Sequence, residues 1–203
     1  MSRPLNQQEQ FWLSEFGTEY AHRNVGRIDA NRAFFREIFQ RCDAVHSIME
    51  FGCGTGENLA AINKLGKQDL SLFGVEINKE AARRMPVGKI FNCSVHDFQV
   101  RAQYDMVITK GFLIHVEPED LPSVYDKLFA ASKRYILIAE YFAPTCTPIE
   151  YRGYKNKMWR NDFAGAMLNR FPQLMLPAYG FAYKRDAYLG QDDLTWMLLE
   201  KKA

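Results

Sequence analysis

The sequence predicts an α/β fold, a mostly parallel sheet with helices on both faces, and three observations carry that expectation. Short apolar runs suited to strands alternate with stretches of helical periodicity through most of the chain, the rhythm from which parallel sheets are built. The first of these runs ends in glycines at alternate positions, Gly52, Gly54 and Gly56, where a helix begins. The last two runs, residues 179–183 and 194–200, flank a turn through Gly190 and read as an antiparallel pair at one end of the sheet.

Taken in order, polar residues 6–10 lead into Phe11, Trp12 and Phe16 at helical spacing, which is core spacing first. Asp29 is placed to cap a second helix carrying Phe34, Phe35, Ile38 and Phe39. Residues 46–51 form a strand and 57–65 a helix; 70–76 form the second strand, after which Asn78 caps a helix through Arg84 that Pro86 and Gly88 end. Residues 89–93 and 104–109 are strands three and four. A helix from near Pro118 to Ser132 and an apolar fifth strand over 134–141 follow. Past Glu140 come a loop rich in Pro, Tyr and basic residues and then a helix over 162–170.

The 203 residues, 47% apolar and 25% charged, suffice to bury a core without metal or disulfide staples. A net charge of +2 with no long basic run disfavours nucleic acid as partner and favours a small molecule. Cys42, Cys53, Cys93 and Cys146 form no CxxC pair, so neither a metal site nor a disulfide framework is expected. Residues 1–10 are polar and no apolar run could span a bilayer, so a cytoplasmic protein without a membrane partner is expected.

The chemistry concentrates in Glu50-Phe51-Gly52-Cys53-Gly54-Thr55-Gly56. Glycines there let a ligand approach the backbone, and the helix start offers free amides. The spacing GxGxG departs from the dinucleotide GxGxxG. Glu50 would repel a pyrophosphate and suit the ammonium and sulfonium charges of S-adenosylmethionine. Glu76, about twenty residues on, suits ribose hydroxyls, with Ile77 beside it. Asp97 and Phe98 suit an adenine amino group and ring face, or Asp97 serves only a turn. Cys53, Asn58, Lys110 and Gly111 complete the expected cofactor set together with Tyr20, Arg23 and Asn24, which precede the first strand and could fold over the ligand. Arg23 pairs with a carboxylate or stays exposed.

Acceptor residues are expected after strands four and five. His115 could take a proton from an amine or hydroxyl, with Tyr141 beside it, or it packs the following helix. Glu140, Tyr151, Arg152 and Lys155 would bind the substrate, the interleaved aromatics and bases suiting an acidic or sugar-like molecule or, less well, a single-stranded nucleic acid.

These features resemble the class I S-adenosylmethionine-dependent methyltransferases from His46 to the C-terminus. The resemblance implies a Rossmann-like sheet whose last strand is antiparallel, cofactor over the first strands and acceptor above the fourth and fifth. More narrowly, Phe16-Gly17-Thr18-Glu19-Tyr20 with Arg23-Asn24, Thr109-Lys110-Gly111-Phe112-Leu113-Ile114-His115, Tyr151-Arg152-Gly153, Arg160-Asn161-Asp162-Phe163-Ala164-Gly165 and Gln191-Asp192-Asp193 resemble the methylases associated with pseudaminic acid biosynthesis. The implied organisation is one domain over 1–203, with 1–45 a helical lid and 142–165 an acceptor-side loop insertion. The implied activity is methylation of a small acceptor bearing an amine, hydroxyl or carboxylate, a sugar acid or other anionic metabolite among them. A catalytically silent cofactor-binding protein of a biosynthetic complex and an RNA or protein methyltransferase are the competing readings.

Overall fold

The computed structural model describes residues 3–66, 69–188 and 190–202; both ends of the expected 1–203 unit, and the first two residues of the polar N-terminal stretch, lie outside them. Asn6 opens α1 (Gln7–Leu13) by accepting the Glu9 amide while the Glu9 side chain returns to the Asn6 amide, a reciprocal cap. The single helix expected through Phe16 is two helices. Ser14 takes an extended backbone that ends α1, and its hydroxyl accepts the Phe16 amide to start α2 (Glu15–Arg23). The third helix, α3 (Ile28–Phe39), starts a residue before Asp29, which sits in its first turn and does not cap it.

The strands and helices then alternate as expected: β1 (Ser47–Phe51), α4 (Glu57–Asn63), β2 (Ser71–Glu76), α5 (Lys79–Arg83), β3 (Lys89–Asn92) and β4 (Tyr104–Lys110). A 3-10 turn, Leu113–His115, follows. The helix expected from Pro118 begins later, as α6 (Leu121–Ala131) with a proline in its first turn. β5 (Ser132–Glu140) follows directly. The expected loop over 142–165 contains a hairpin of β6 (Thr147–Tyr151) and β7 (Tyr154–Arg160). Arg152 and Gly153 both have positive φ at its tip, the backbone that joins two strands through two residues. Its polar residues hid the strand pattern. α7 (Phe163–Arg170), capped by Asp162, then β8 (Leu174–Ala182) and β9 (Leu194–Lys201) complete the chain.

The seven-stranded sheet has the order β3-β2-β1-β4-β5-β9-β8. β1 to β5 are parallel; β9 runs antiparallel to β5 and β8 antiparallel to β9. The alternation of side chains along the strands divides the core in two. Met49, Phe51, Val107 and Ile136 face α6 and α7, whereas Ile48, Met106, Ile108 and Leu137 face α3 and α4. α3 belongs to that second layer through Phe34, Phe35 and Ile38, all essentially inaccessible, so residues 1–45 are not one covering unit. The chain leaves β1 toward β2 on one side and returns through β4 on the other. This places the topological switch, where such sheets bind ligands, above the ends of β1 and β4. Among the described residues, no helix is long and apolar enough to cross a membrane.

The opposite end of the central strands, where β1 begins, is pinned by Asp105 of β4. Its Oδ2 accepts the amides of His46 and Ser47 and the Ser47 hydroxyl, each at 3.0 Å, and these contacts hold its carboxyl below the usual range against a partial burial that pushes it up. Asp105→Ala leaves these donors at the start of β1 without their acceptor. It is expected to lower the unfolding free energy by about 1–3 kcal/mol in urea titration; a change within about 0.5 kcal/mol, the ordinary surface value, would refute this pinning.

Candidate active site

Three buried acids at or beside the carboxyl ends of β2, β5 and β1 shape the loops above them. Glu76, last in β2, accepts the Gly54 amide at 2.9 Å and the Asn78 amide at 2.7 Å, thereby holding the glycine loop of β1. Glu140, last in β5, accepts the amides of Phe112 and Leu113 at 3.1 and 3.0 Å and so folds the loop after β4. Glu50 in β1 accepts the Asn58 side-chain amide at 2.6 Å, tying α4 down. Burial pushes all three up, Glu50 to about 8 and Glu140 to about 7, against the hydrogen bonds that favour their charge. Lys110, last in β4, is the cation among them, lowered by burial to about 8 and supported by Glu50.

The glycine loop is tight on one side and open on the other. A Cβ on Gly52 would stand 2.2 Å from the Phe112 ring, with φ at +68°; a Cβ on Gly54 or Gly111 would meet nothing within 4 Å. The open side faces a cavity of about 260 Å³. α1 and α2 roof it: the Asn78 side chain donates to the Trp12 carbonyl at 2.9 Å, and Trp12 meets His115 at 4.8 Å between ring centres. The β6–β7 hairpin forms the other side of the roof, the Gln8 amide donating to the Asn156 carbonyl at 3.0 Å.

Of the residues expected from the sequence, Tyr20, Asn24, Gly52, Cys53, Gly54, Asn58, Glu76, Ile77, Lys110, Gly111, His115, Tyr141 and Tyr151 line this cavity. The others do not. Glu50 is wholly buried beneath the floor, and Gly56 turns away at the head of α4, where a Cβ would meet Met85. Phe98 is spent in the core against Phe51 and Phe91, and Asp97 is half exposed and paired with Arg3 at 3.0 Å. Ser94 and His96 stand at the cavity instead, because they follow the end of β3 more closely. Arg23 lies outside over the Phe16 and Tyr20 rings. Glu140 is buried, its Oε1 accepting both amides, and does not line the cavity; Arg152 and Lys155 are exposed at and beside the hairpin tip, Arg152 lying over the Tyr151 ring, and neither is in the lining. The expected basic wall for an anion is therefore absent from the described lining.

Several lining residues escaped the sequence reading because distant segments bring them in. Arg27 joins both oxygens of Asp192, at 2.5 and 2.9 Å, across 165 positions. Gln8 and Glu9 come from α1, Glu9 being drawn down to about 2 by Arg3 and further donors despite its burial.

His115 is nearly inaccessible. Burial lowers it to about 4, only partly offset by a hydrogen bond from Nδ1 to the Lys157 carbonyl at 2.8 Å. A carbonyl only accepts, so Nδ1 carries the proton and Nε2 is left with a lone pair. The ring also meets Tyr151 at 4.8 Å.

The family model described as a methyltransferase domain matches residues 20–186. None of the curated proteins matches the sequence. Among solved structures, the magnesium protoporphyrin IX methyltransferase of Synechocystis PCC 6803 with bound S-adenosylmethionine is 14% identical, each chain covering 100% of the other, with a TM-score of 0.65. The 1,6-didemethyltoxoflavin-N1-methyltransferase of Burkholderia thailandensis, with its substrate and S-adenosylhomocysteine, is 15% identical over 100% of this chain and 94% of that one, at 0.68. An S-adenosylmethionine-dependent methyltransferase of Leishmania major is 13% identical over 96% of this chain and 82% of its own, at 0.71. At such identities the likeness is one of fold.

The folded ring of His115 binds a proton only near pH 4, whereas an unfolded histidine does so near 6.5. Between those values the unfolded chain holds the extra proton, so this group's contribution to stability falls as pH falls through that window. Comparing urea unfolding of the parent and of His115→Asn, the parent should lose roughly 2 kcal/mol more between pH 7 and pH 5. Equal losses would mean that the imidazole is not held neutral.

Proposed function

Because this chain belongs to the methyltransferase-domain family, we propose that it transfers a methyl group from S-adenosylmethionine to a small-molecule acceptor bearing an amine, hydroxyl or carboxylate. The observation that carries this reading is the open backbone at Gly54, hydrogen-bonded to the buried carboxyl of Glu76, at the switch point of the sheet. The cofactor fits the residues present. Glu76 suits the ribose hydroxyls, Ser94 and His96 stand where the base would lie, and the loop from Gly52 to Gly54 with Lys110 suits the amino acid tail. The wall is also acidic overall, as a sulfonium requires. When bound, S-adenosylmethionine supplies an electrophilic methyl group on positively charged sulfur.

The chain's own contribution is alignment, exclusion of water and, at His115 Nε2, acceptance of a proton. The cavity of about 260 Å³ falls short of the ~300–1,000 Å³ of ordinary small-molecule sites, before two ligands are counted. α1 and α2, which roof the cavity, are the segment suited to act as its lid. The narrower kinship with the methylases associated with pseudaminic acid biosynthesis rests on the sequence segments alone. An anionic sugar acceptor draws no support from Arg152 and Lys155, which stand outside the cavity.

Isothermal calorimetry is expected to give micromolar affinity for S-adenosylhomocysteine and none for NAD, and Glu76→Ala to weaken the former by about 1.5–3 kcal/mol. NAD binding in place of the nucleoside thioether, or an unchanged Glu76→Ala affinity, would overturn the cofactor assignment. Once the acceptor is in hand, His115→Ala should cut turnover roughly a hundredfold. A free imidazole would give the parent a rate rising near pH 6.5. A base held at about 4 gives instead a profile flat from pH 5.5 to 8 as far as His115 is concerned, and a rise through 6.5 that vanishes in the variant would contradict the buried, neutral ring.

A further inference from the structure

We infer that the acceptor is an uncharged planar aromatic molecule carrying a hydroxyl or a ring N–H, an inference that narrows the proposed methyl transfer and rests on it. Five rings converge on the cavity: Trp12 of α1, Tyr20 of α2, His115 after β4, Tyr141 after β5 and Tyr151 at the end of β6. Trp12 stands 5.3 Å from Tyr20 and 4.8 Å from His115, which in turn stands 4.8 Å from Tyr151, at interplanar angles of 81°, 69° and 60°. Rings packed edge to face in this way present an aromatic surface to the cavity against which a flat ring stacks.

The charges of the wall exclude the alternatives. It presents five carboxyl groups, Glu9, Glu57, Glu76, Glu117 and Asp192, against two cations, Arg27 and Lys110. Arg27 is held by both oxygens of Asp192, and Lys110 is supported by buried Glu50. Glu9 is neutralised by Arg3, so an anionic acceptor meets the other four carboxyl groups, and Lys110, lowered by burial to about 8, is the one lining cation among the described residues outside an ion pair. An ammonium acceptor has no lone pair to attack with, and handing its proton to His115, held at about 4, is uphill by roughly a millionfold from an ordinary alkylammonium. A phenolic O–H or aromatic N–H becomes strongly acidic as its atom gains the methyl group, so a weak base suffices.

The polar atoms complete the match. Gln8 spends its amide nitrogen on the Asn156 carbonyl, and its buried Oε1 has no hydrogen-bond partner. His115 spends Nδ1 on the adjacent Lys157 carbonyl, which leaves Nε2 as an acceptor. Both residues line the cavity, and two acceptors without a protein donor call for a ligand that brings a donor hydrogen. In the transfer, the acceptor oxygen or nitrogen bonds to the methyl carbon as the carbon–sulfur bond breaks with its electron pair remaining on sulfur. The displaced proton passes to His115 Nε2 and from there to water.

The test titrates the full chain, saturated with S-adenosylhomocysteine at pH 7.5, with three probes of one shape: 2-naphthol, 2-naphthoate and 2-naphthylmethylammonium. Calorimetry should show 2-naphthol binding at least about tenfold more tightly than 2-naphthoate, and with S-adenosylmethionine in place of its product, mass spectrometry should show no methylation of 2-naphthylmethylammonium at pH 7.5. Tyr151→Ala, and Tyr151→Leu as the variant that keeps apolar bulk, should each weaken 2-naphthol by about tenfold or more with S-adenosylhomocysteine affinity within twofold of the parent. Equal or tighter binding of 2-naphthoate, methylation of the ammonium probe, or unchanged 2-naphthol affinity in both variants overturns the inference alone. Failure of S-adenosylhomocysteine itself to bind overturns the proposed function and this inference with it.

Discussion

The site depends on one electrostatic constraint: carboxyl groups buried at the ends of parallel strands must find donors, and the donors available are the amides of the neighbouring loops. Glu76 ends β2 but holds the loop of β1; Glu140 ends β5 but holds the loop of β4. Each acid thus fixes the loop of the adjacent strand. The helix start, the glycines and the turn before His115 take their positions from these bonds. An unpaired carboxylate at such depth would be costly, so the loops are not free to relax away from the cavity.

The same constraint connects the floor to the roof. Folding the loop after β4 onto Glu140 sets the Phe112 ring over Gly52, leaving no room for a side chain there, and carries His115 to the hairpin, where the Lys157 carbonyl fixes its tautomer. Roof and hairpin are then joined mainly by ring contacts, Phe11 and Phe16 against Tyr154 at 5.0 and 5.4 Å, with few polar bonds. Such a junction is tight when closed and has little hydrogen bonding to break on opening, which suits a cavity that has to admit two ligands. The acidic lining favours a positively charged cofactor over a second anion, and Glu76 belongs both to the acids that hold the loops and to those that face the cavity.

How much of this was legible in the sequence follows from how local each signal is. The alternation of strands and helices, the glycine loop, the Asn78 cap and Glu76 are local patterns, and the structure has them where they were read. The break at Ser14 depends on one hydroxyl choosing to cap, and the periodicity of Phe11, Trp12 and Phe16 conceals it. The hairpin was hidden because Glu150, Lys155 and Asn156 are polar and its tip uses Arg152, a residue that rarely adopts positive φ. Asp97 drew attention as an acid after a strand. The residues nearer the end of β3, Ser94 and His96, reach the cavity, and proximity to the strand end was the better signal. Contacts such as Arg27 with Asp192 or Gln8 with Asn156 join segments remote in sequence, and no local pattern announces them.

That Glu76 at the end of β2, with the glycine loop after β1 and the residues after β3, forms a nucleoside site is tested most directly by a crystal structure of the chain with S-adenosylhomocysteine. The account predicts the ribose hydroxyls on the Glu76 carboxyl, the base beside Ser94 and His96, and the thioether tail over the glycine loop toward Lys110. A ligand bound outside this cavity, or within it with the base turned away from β3 and no contact to Glu76, would contradict it.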